Sequence, residues 1–397
     1  MRNEPLGKAL QVRKKATLTV DTKKPIWSLS WCPSAQVLAS GGSDCLIRLW
    51  VPIREAGKQA VQSDNQQLEE WHCVATFGSD MFPRTLRCVS FNPKLPFLAC
   101  GSFDSYVYTI RLNSSCEERS EPNLSEILAA PPKLQLTSTL EGHESEVKCV
   151  AFSSSGSLLA SCSRDRTVWL WELGIDKDDF ESSSLLEGHT QDVKYVVWHP
   201  NKELLCSCSY DNTIRMWVED DYDWYCCSVL SGHSSTVWAA AFDKFGERIV
   251  TVSDDRSVIF WRQVPRRTEE IGQDPSWETI CVLKEQHEGP IYTVDWSHQS
   301  GLIVTGGGDD AIQIYQEQPF GKTETLESTK EQLLPSRDIA CSDSEDSSRS
   351  EPFTLVATIL NAHEGEVNCV KWNPQDGYVF ASCGDDGVIN IWQISIN

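Results

Sequence analysis

The amino-acid sequence predicts an all-β fold, a closed seven-bladed β-propeller, from three observations. A unit of about 45 residues recurs along the chain of 397 residues, and this is the period of a four-stranded propeller blade. Each unit ends on a large apolar residue, at Trp50, Ile110, Trp171, Trp217, Trp261, Tyr315 and Trp392. An Asp stands six residues before each of these, at Asp44, Asp104, Asp165, Asp211, Asp255, Asp309 and Asp386. Seven turn aspartates predict seven blades.

A His and a hydroxyl accompany the turn Asp in most units. The His lies 22 or 23 residues before the Asp, and a Ser or Thr lies four residues before it. Asp tolerates a tight turn between the second and third strands. The His can bridge the carboxylate and the hydroxyl, which can accept the indole N–H of the closing Trp. The pattern is typical of WD repeats. Four units hold the complete structural tetrad: His143, Ser161, Asp165 and Trp171; His189, Ser207, Asp211 and Trp217; His233, Thr251, Asp255 and Trp261; His363, Ser382, Asp386 and Trp392.

The other three units depart from the tetrad. The sixth keeps His287, Thr305 and Asp309 but closes with Tyr315, and the first has Thr22 where the His would fall. The second keeps only its Asp, with Phe82, Cys100 and Ile110 in the other places. The Ser, His and Asp content also fits a catalytic triad, but its repetition along the chain favours the structural interpretation.

Composition excludes several classes of function. The net charge of −22 argues against general nucleic-acid binding and against an anionic membrane surface. The N-terminal stretch has no apolar core, so we expect no secretory signal, and no run of 18 apolar residues predicts a membrane span.

The 16 cysteines predict buried thiols in a reducing compartment. Several recur in equivalent positions of the units, at Cys149, Cys162, Cys208, Cys369 and Cys383. Cys206, Cys208, Cys226 and Cys227 are alternative metal ligands, but two CxxC pairs are absent. We therefore expect no metal and no cofactor.

The chain divides into a flexible tail at residues 1–15 and a propeller at residues 16–397. A short strand at residues 16–20 is expected to pair into the last blade and close the ring. Inserts at about 51–70, 112–133 and 318–351 fall between third and outer strands, so we expect them to project from one face. The last insert is acidic and rich in Ser, which fits a disordered surface loop or a regulatory segment.

The opposite face is the candidate functional surface, because one residue of each first strand points at the mouth of the central channel there. In blade order these are Trp27, Arg87, Lys148, Lys194, Trp238, Tyr292 and Asn368; the residues before two turn aspartates add Arg164 and Tyr210. Cations beside aromatic rings suit a short peptide with carboxylates and an aromatic or apolar side chain. Alternatively, the cations neutralise the ring of turn aspartates.

Several segments resemble the WD-repeat subunit of the cytosolic iron–sulfur protein assembly (CIA) targeting complex. They include LEGHESEVKCVAF, LLASCSRDRTVWLWE, HTQDVKYVVWHP, SYDNTIRMW, STVWAAAFD and EVNCVKWNP. The resemblance implies a non-enzymatic adaptor in the cytoplasm and nucleus that joins a MIP18-type subunit and a large HEAT-repeat scaffold. The complex docks apoproteins for [4Fe–4S] insertion, and many clients present a short C-terminal tail. Arg164 matches an exposed arginine of the family.

Two other functional classes remain. A different WD-repeat scaffold, such as a ubiquitin-ligase substrate receptor or a chromatin-complex subunit, would have a docking motif outside the propeller, and none is found. A propeller enzyme would need polar groups converging in the channel, but the sequence contains no zinc motif, phosphate loop or nucleophile elbow. The segment resemblance favours the adaptor, since fold alone does not decide function.

Overall fold

The computed structural model describes residues 10–53, 68–78, 80–113, 132–175, 179–220, 223–264, 275–318 and 352–396. These residues form seven four-stranded antiparallel sheets. No described segment is helical, and none is a long apolar helix that could cross a membrane. The seven-bladed β-propeller predicted from the repeats is confirmed.

The strands follow one another from the inner to the outer edge of each blade. A first strand, β1 (Leu10–Thr19), precedes the blades in sequence. Blade 1 contains β2 (Ile26–Trp31), β3 (Leu38–Gly42), β4 (Ile47–Pro52) and β5 (Trp71–Phe77). Blade 2 contains β6 (Leu86–Phe91), β7 (Phe97–Ser102), β8 (Val107–Asn113) and β9 (Lys133–Leu140). Blade 3 contains β10 (Val147–Phe152), β11 (Leu158–Ser163), β12 (Val168–Leu173) and β13 (Phe180–Leu186). Blade 4 contains β14 (Val193–Trp198), β15 (Leu204–Ser209), β16 (Thr213–Glu219) and β17 (Trp224–Ser231). Blade 5 contains β18 (Val237–Phe242), β19 (Arg248–Ser253), β20 (Val258–Gln263) and β21 (Trp277–Leu283). Blade 6 contains β22 (Ile291–Trp296), β23 (Ile303–Gly307), β24 (Ile312–Glu317) and β25 (Phe353–Ile359). Blade 7 contains β26 (Val367–Asn373), β27 (Asp376–Gly384) and β28 (Val388–Ile396).

The core lies between neighbouring blades. Every residue of β7, β11 and β15 is buried, because a second strand is covered on both faces by the adjacent blades. Outer strands are more exposed: in β13 only the two end residues, Phe180 and Leu186, are buried. Phe97 of blade 2 and Phe152 of blade 3 share one apolar cluster, and Phe97 lies 5.8 Å from the ring of Phe180. Burial between blades therefore holds the ring together.

The N-terminal strand closes the ring, as predicted. It pairs antiparallel with β28 as the outer strand of blade 7, with Leu18 opposite Ile389 and Val12 opposite Ile394. The tail predicted for residues 1–15 is too long, because residues 10–15 belong to this strand. Leu10 and Val12 pack against the apolar cluster between blades 6 and 7, an apolar alternation that the basic run at residues 13–15 obscures in the sequence. Residues 1–9 lie outside the described residues.

The three predicted inserts follow the third strands. They separate β4 from β5, β8 from β9 and β24 from β25, and their central residues lie outside the described ranges. The loops between first and second strands lie at the same end of the blades as these connections. The opposite face therefore carries only the short turns between second and third strands and the loops that enter each blade.

Candidate functional site: the channel mouth

The tetrads build the rigid wall that supports the mouth. In blade 3, the Nδ1 and Nε2 atoms of His143 lie 2.8 Å from Asp165 Oδ2 and 2.8 Å from Ser161 Oγ. The indole of Trp171 donates to the same Ser161 hydroxyl at 2.9 Å. The set links the entry loop to the second and third strands, and the His side chain is buried.

Blades 4, 5 and 7 repeat this geometry with Ser207, Thr251 and Ser382 as the bridging hydroxyls. Their oxygens lie 2.8, 2.8 and 2.7 Å from the Nε2 atom of the blade's own His. They accept the indole N–H of the closing Trp at 2.8, 2.9 and 2.8 Å. The His Nδ1 atoms lie 2.8, 3.0 and 3.0 Å from the turn carboxylates. The remaining members of these three tetrads are His189, Asp211 and Trp217, His233, Asp255 and Trp261, and His363, Asp386 and Trp392.

The bridging hydroxyls are enclosed in the blades and do not face the mouth. Ser207, Thr251 and Ser382 are each 0% exposed, as is Ser161 in blade 3. These four residues are also absent from the wall of the central channel. The tetrads predicted from the sequence therefore support the site from inside the blades, and their hydroxyls are not placed to contact a ligand at the mouth.

The turn carboxylates are engaged by further contacts. Asp165 also accepts hydrogen bonds from the backbone N–H of Glu144 and Thr167, at 3.0 and 2.9 Å. Burial raises the pKa of Asp165, but the hydrogen bonds from His143 and Thr167 outweigh it and hold this pKa well below its usual value. In the four blades with a complete tetrad, the hydroxyl, the His and the Asp are therefore hydrogen-bonded to one another inside the blade wall.

The three incomplete blades use substitutes. In blade 1, the hydroxyl of Thr22 donates to Asp44 at 3.0 Å. In blade 2, the phenol of Tyr108 donates to Asp104 at 2.9 Å. In blade 6, the Tyr315 phenol donates to the side chain of Gln313 at 2.6 Å. Thr22 stands at the position that the His holds in the complete units, whereas Tyr108 and Gln313 occupy positions outside the tetrad pattern.

A β-bulge aims one side chain of each blade at the channel. The pairing of first and second strands skips one residue in all seven blades, and the skipped residues are Trp27, Arg87, Lys148, Lys194, Trp238, Tyr292 and Asn368. A bulge leaves its extra residue unpaired and re-directs its side chain. These are the seven positions that the sequence assigns to the mouth, and all seven line the central channel.

The turns beside the bulges are fixed by the backbone. In each blade the N–H of the residue before the turn Asp donates to the carbonyl of the residue before the first strand; in blade 3 Arg164 N lies 3.0 Å from Glu146 O, and in blade 4 Tyr210 N lies 2.9 Å from Asp192 O. The residue after the turn Asp has a positive φ in every blade, for example 75° at Arg166. The turn residues thus form a second circle around the channel mouth.

Cations of blades 2 to 4 lie over aromatic rings of the same or the neighbouring blade. The guanidinium of Arg87 lies 5.0 Å from the centre of the Trp27 ring, and Lys148 Nζ lies 4.4 Å from that of Phe103. Lys194 Nζ lies 5.3 Å from the Tyr210 ring and 5.2 Å from a second ring, that of Trp238 in blade 5. Each such contact contributes about 0.5–1 kcal/mol at exposed sites. They fix the cations in an arc, which we call the basic arc (Arg87, Lys148 and Lys194).

The cations of this arc influence one another. Burial lowers the pKa of Lys148; Glu146 opposes that shift, while Lys194 and Arg87 lower the pKa further. Arg164 does not line the channel: its side chain is 60% exposed and contacts Glu146 at 3.1 Å. Tyr210 is also outside the channel wall and 55% exposed. Arg164 and Tyr210 therefore belong to the outer circle.

Blades 5 to 7 complete the mouth with aromatic and acidic groups. The rings of Trp238 and Tyr292 meet edge to face at 5.2 Å, and the Tyr292 phenol donates to Glu366 at 3.4 Å. Burial and the Glu366 carboxylate raise the pKa of Tyr292 to about 12. Asn368 is buried and donates to Asp385 at 2.8 Å, so it contributes shape rather than a free amide.

Two features of the mouth were missed by sequence reasoning. Phe103 directly precedes the turn Asp of blade 2, the position that also holds Arg164 and Tyr210, so its place in the repeat could have identified it. The acidic side of the mouth could have been found in the same way, because Asp385 directly precedes the turn Asp of blade 7 and Glu366 directly precedes its first strand.

One contact deeper in the channel has no such signal. Lys371 Nζ crosses from β26 to the Tyr195 hydroxyl of β14 at 2.8 Å. Both residues line the channel, on blades that are far apart in sequence. Nothing in a single repeat indicates that contact.

The described residues contain no group of three or more Cys, His, Asp or Glu arranged to hold a metal ion. None of the described cysteines forms a disulfide, and Cys206 and Cys208 are fully buried on β15. The core interpretation of these two cysteines therefore agrees with their position between blades 4 and 5.

A known repeat family matches the chain seven times. The family described as WD domain, G-beta repeat matches seven stretches, at residues 13–51, 71–109, 134–172, 180–218, 224–262, 277–316 and 353–393. Each stretch begins with the outer strand of one blade and ends with the third strand of the next, so every sequence repeat links two blades.

Full-length relatives are similar across the whole chain. The chain is 36% identical to the probable cytosolic iron-sulfur protein assembly protein 1 of Candida dubliniensis, over 93% of this chain and 96% of the relative. It is 37% identical to the protein of that name from Vanderwaltozyma polyspora, over 98% of both. It is 35% identical to the probable cytosolic iron-sulfur protein assembly protein CIAO1 homolog of Caenorhabditis elegans, over 95% of this chain and 96% of the relative.

Proposed function

The chain belongs to the WD-repeat family of cytosolic iron–sulfur protein assembly protein 1, and on that premise we propose that it is a non-enzymatic adaptor that docks apoproteins for [4Fe–4S] insertion. The family supports a role in cytosolic iron–sulfur assembly. The adaptor role rests on the channel mouth, where cations and aromatic rings converge in a chain of net charge −22. The cluster is cargo for the client protein in this proposal.

The mouth suits a client tail that ends in an acidic residue, an aromatic residue and a free carboxylate. The basic arc supplies cations for the carboxylates, and charge-assisted hydrogen bonds to carboxylates are roughly twice as strong as neutral ones. The Trp238 ring, edge to face with Tyr292, offers an aromatic surface beside Lys194. Arg164, exposed on the outer circle, would meet the peptide as it enters.

In this proposal the other members of the complex bind the surface outside the mouth. We propose that a MIP18-type subunit and a large HEAT-repeat scaffold bind the same chain, and that the complex works in the cytosol, with a nuclear role as a further hypothesis. Direct contact with nucleic acid or membrane is not part of the proposal, because the acidic net charge opposes both.

Fluorescence anisotropy tests the receptor directly. A labelled peptide ending in Leu-Asp-Trp is titrated with the protein as the free acid and as the C-terminal amide. We expect the free acid to bind more tightly than the amide. Lys194→Glu and Arg164→Glu should each weaken the free acid by at least tenfold, or about 1.4 kcal/mol. Arg256→Glu is the matched control, because it makes the same charge change on the blade 5 turn, where Arg256 lies after the turn Asp.

The outcomes separate the candidate functions. Equal losses for all three variants would indicate general charge attraction instead of a site at the mouth. If wild type binds neither peptide, the tail receptor is wrong, and co-purification with the MIP18-type subunit then decides whether an adaptor role remains. Capture of a ubiquitin-ligase or chromatin subunit in place of that partner would favour the generic scaffold.

A further inference from the structure

Two cysteines meet inside the channel, directly below the basic arc. Cys88 lies on β6 and Cys149 on β10, the first strands of adjacent blades, and both line the channel. Their Sγ atoms are 3.7 Å apart. A disulfide has a sulfur–sulfur distance of about 2.05 Å, so closure needs an approach of about 1.6 Å. β6 and β10 belong to separate sheets and share no backbone ladder, so side-chain rotation and a small blade shift can supply this approach.

Small molecules in the channel can reach the pair, and the two thiols differ in exposure and in pKa. Cys88 is partly exposed to the channel, whereas Cys149 is 3% exposed. The channel volume is about 400 Å³, which is large relative to the volume of about 30 Å³ that one water occupies in the liquid. The Cys149 thiol stabilises the Cys88 thiolate and lowers the pKa of Cys88 to about 6, against the effect of burial. Burial raises the pKa of Cys149. Cys88 is thus the nucleophile, and Cys149 is placed to resolve it.

We propose that Cys88 and Cys149 form an oxidation-sensitive thiol pair that small hydroperoxides convert to a disulfide between blades 2 and 3. The site is independent of the tail receptor. Only its effect on peptide binding, described below, rests on the proposed function.

With hydrogen peroxide as the hydroperoxide, the reaction consumes one molecule of oxidant. The Cys88 thiolate attacks one peroxide oxygen, the O–O bond breaks, and Cys88 becomes a sulfenic acid while the departing oxygen leaves as water with the thiol proton. Cys149 sulfur then attacks Cys88 sulfur, the S–O bond breaks, and the hydroxyl leaves as a second water with the Cys149 proton. Two thiols are oxidised, and hydrogen peroxide is reduced to two waters.

The bridge would change the mouth, because each cysteine directly follows a bulge residue. Arg87 precedes Cys88, and Lys148 precedes Cys149. Drawing the two sulfur atoms together moves β6 and β10, and with them two cations of the basic arc. Since like charges that approach repel each other, we expect oxidation to alter the affinity for an acidic tail.

Peptide mapping of the full chain tests the site without any variant. After treatment with hydrogen peroxide and blocking of the remaining thiols, trypsin cuts after Arg87 and Lys94 and after Lys148 and Arg164. The expected product links CVSFNPK to CVAFSSSGSLLASCSR. Fragmentation must place the bridge at Cys149 and not at the second cysteine of the same peptide. Dithiothreitol should separate the two peptides.

Variants supply the controls. Cys162→Ser removes the cysteine opposite Cys149 in the β10–β11 pairing and should keep the cross-link, whereas Cys88→Ser should abolish it and leave Cys149 reduced. Oxidation of exposed Cys73 while the pair stays reduced would overturn the proposal, as would a bridge from Cys88 to Cys369. A cross-link without any tail binding by either redox form would retain the thiol pair and refute the tail receptor.

Discussion

The turn aspartates provide a stability test that compares a complete tetrad with an incomplete one. The perturbations are Asp165→Ala in blade 3 and Asp104→Ala in blade 2. The Asp165 carboxylate receives four hydrogen bonds, from His143 Nδ1 at 2.8 Å, Glu144 N at 3.0 Å, and the N and Oγ1 atoms of Thr167 at 2.9 and 2.6 Å. The Asp104 carboxylate receives two, from Tyr106 N at 3.1 Å and Tyr108 OH at 2.9 Å.

The expected magnitudes follow from what each substitution leaves behind. A hydrogen bond to a charged group contributes about 1.5–3 kcal/mol, but bonds that share one acceptor do not add. Asp165→Ala also leaves the fully buried His143 side chain without its acidic partner. We expect it to lower the free energy of unfolding by about 3–5 kcal/mol, because it removes hydrogen bonds to a charged group and leaves a buried polar ring without a partner. For Asp104→Ala we expect about 1–2 kcal/mol, because Tyr108 loses one phenol contact.

Equilibrium urea unfolding, followed by tryptophan fluorescence and by far-ultraviolet circular dichroism, measures both variants against wild type. The two probes must give coincident transitions for a single free energy to apply. The difference between the variants is the informative quantity, since both remove the same carboxylate from the same kind of turn. Equal losses would refute the argument that the tetrad stabilises the blade beyond the turn itself.

Three further predictions concern the channel and the opposite face. Burial lowers the pKa of His199 from 6.5 to about 4, so the unfolded chain binds an extra proton between these values. The contribution of His199 to the free energy of unfolding is therefore complete above pH 6.5 and is lost as pH drops towards 4, by up to about 1.4 kcal/mol per pH unit. When urea unfolding is measured at a series of pH values, the free energy of unfolding should fall less steeply below pH 6.5 for His199→Gln than for wild type. A double-mutant cycle with Lys371→Met and Tyr195→Phe should give a coupling of about 1.5–3 kcal/mol in unfolding, and zero coupling would contradict the contact across the channel. Gly246 and Gly301 both have positive φ, at 74° and 75°, but a Cβ at Gly246 would collide with the His199 ring, whereas one at Gly301 meets nothing within 4 Å. Thermal unfolding should show Gly246→Ala to be less stable than Gly301→Ala by about 1–3 kcal/mol, the usual penalty for overpacking, and equal melting temperatures would exclude the clash.

The sequence was informative wherever a contact stays within one repeat. The distance in sequence between His143, Ser161 and Asp165 is set by a hairpin, so the same spacing in four units predicted the same bonds. The bulge positions followed for the same reason: the offset of Lys148 and Lys194 from the entry loop is constant. Repetition supplied the independent evidence that a single motif lacks.

Contacts between repeats were not predictable in that way. Tyr195 and Lys371 are 176 residues apart and meet only because the ring brings blades 4 and 7 to opposite sides of a narrow channel. Cys88 and Cys149 are 61 residues apart, and their approach depends on the tilt between two blades. Such distances follow from the closure of the whole ring, which the period alone does not define.

The strand that closes the ring is synthesised long before its partner, which determines when the ring can close during synthesis. Thr17 of β1 pairs with Asn390 of β28, 373 residues later. At about 5–20 residues per second, a ribosome needs about 20–75 s to cover that distance, so β1 waits through that interval without its partner. An unpaired strand edge invites aggregation, and clustered charges oppose it. We therefore expect the run Arg13, Lys14 and Lys15 to oppose aggregation of β1 until blade 7 has been synthesised.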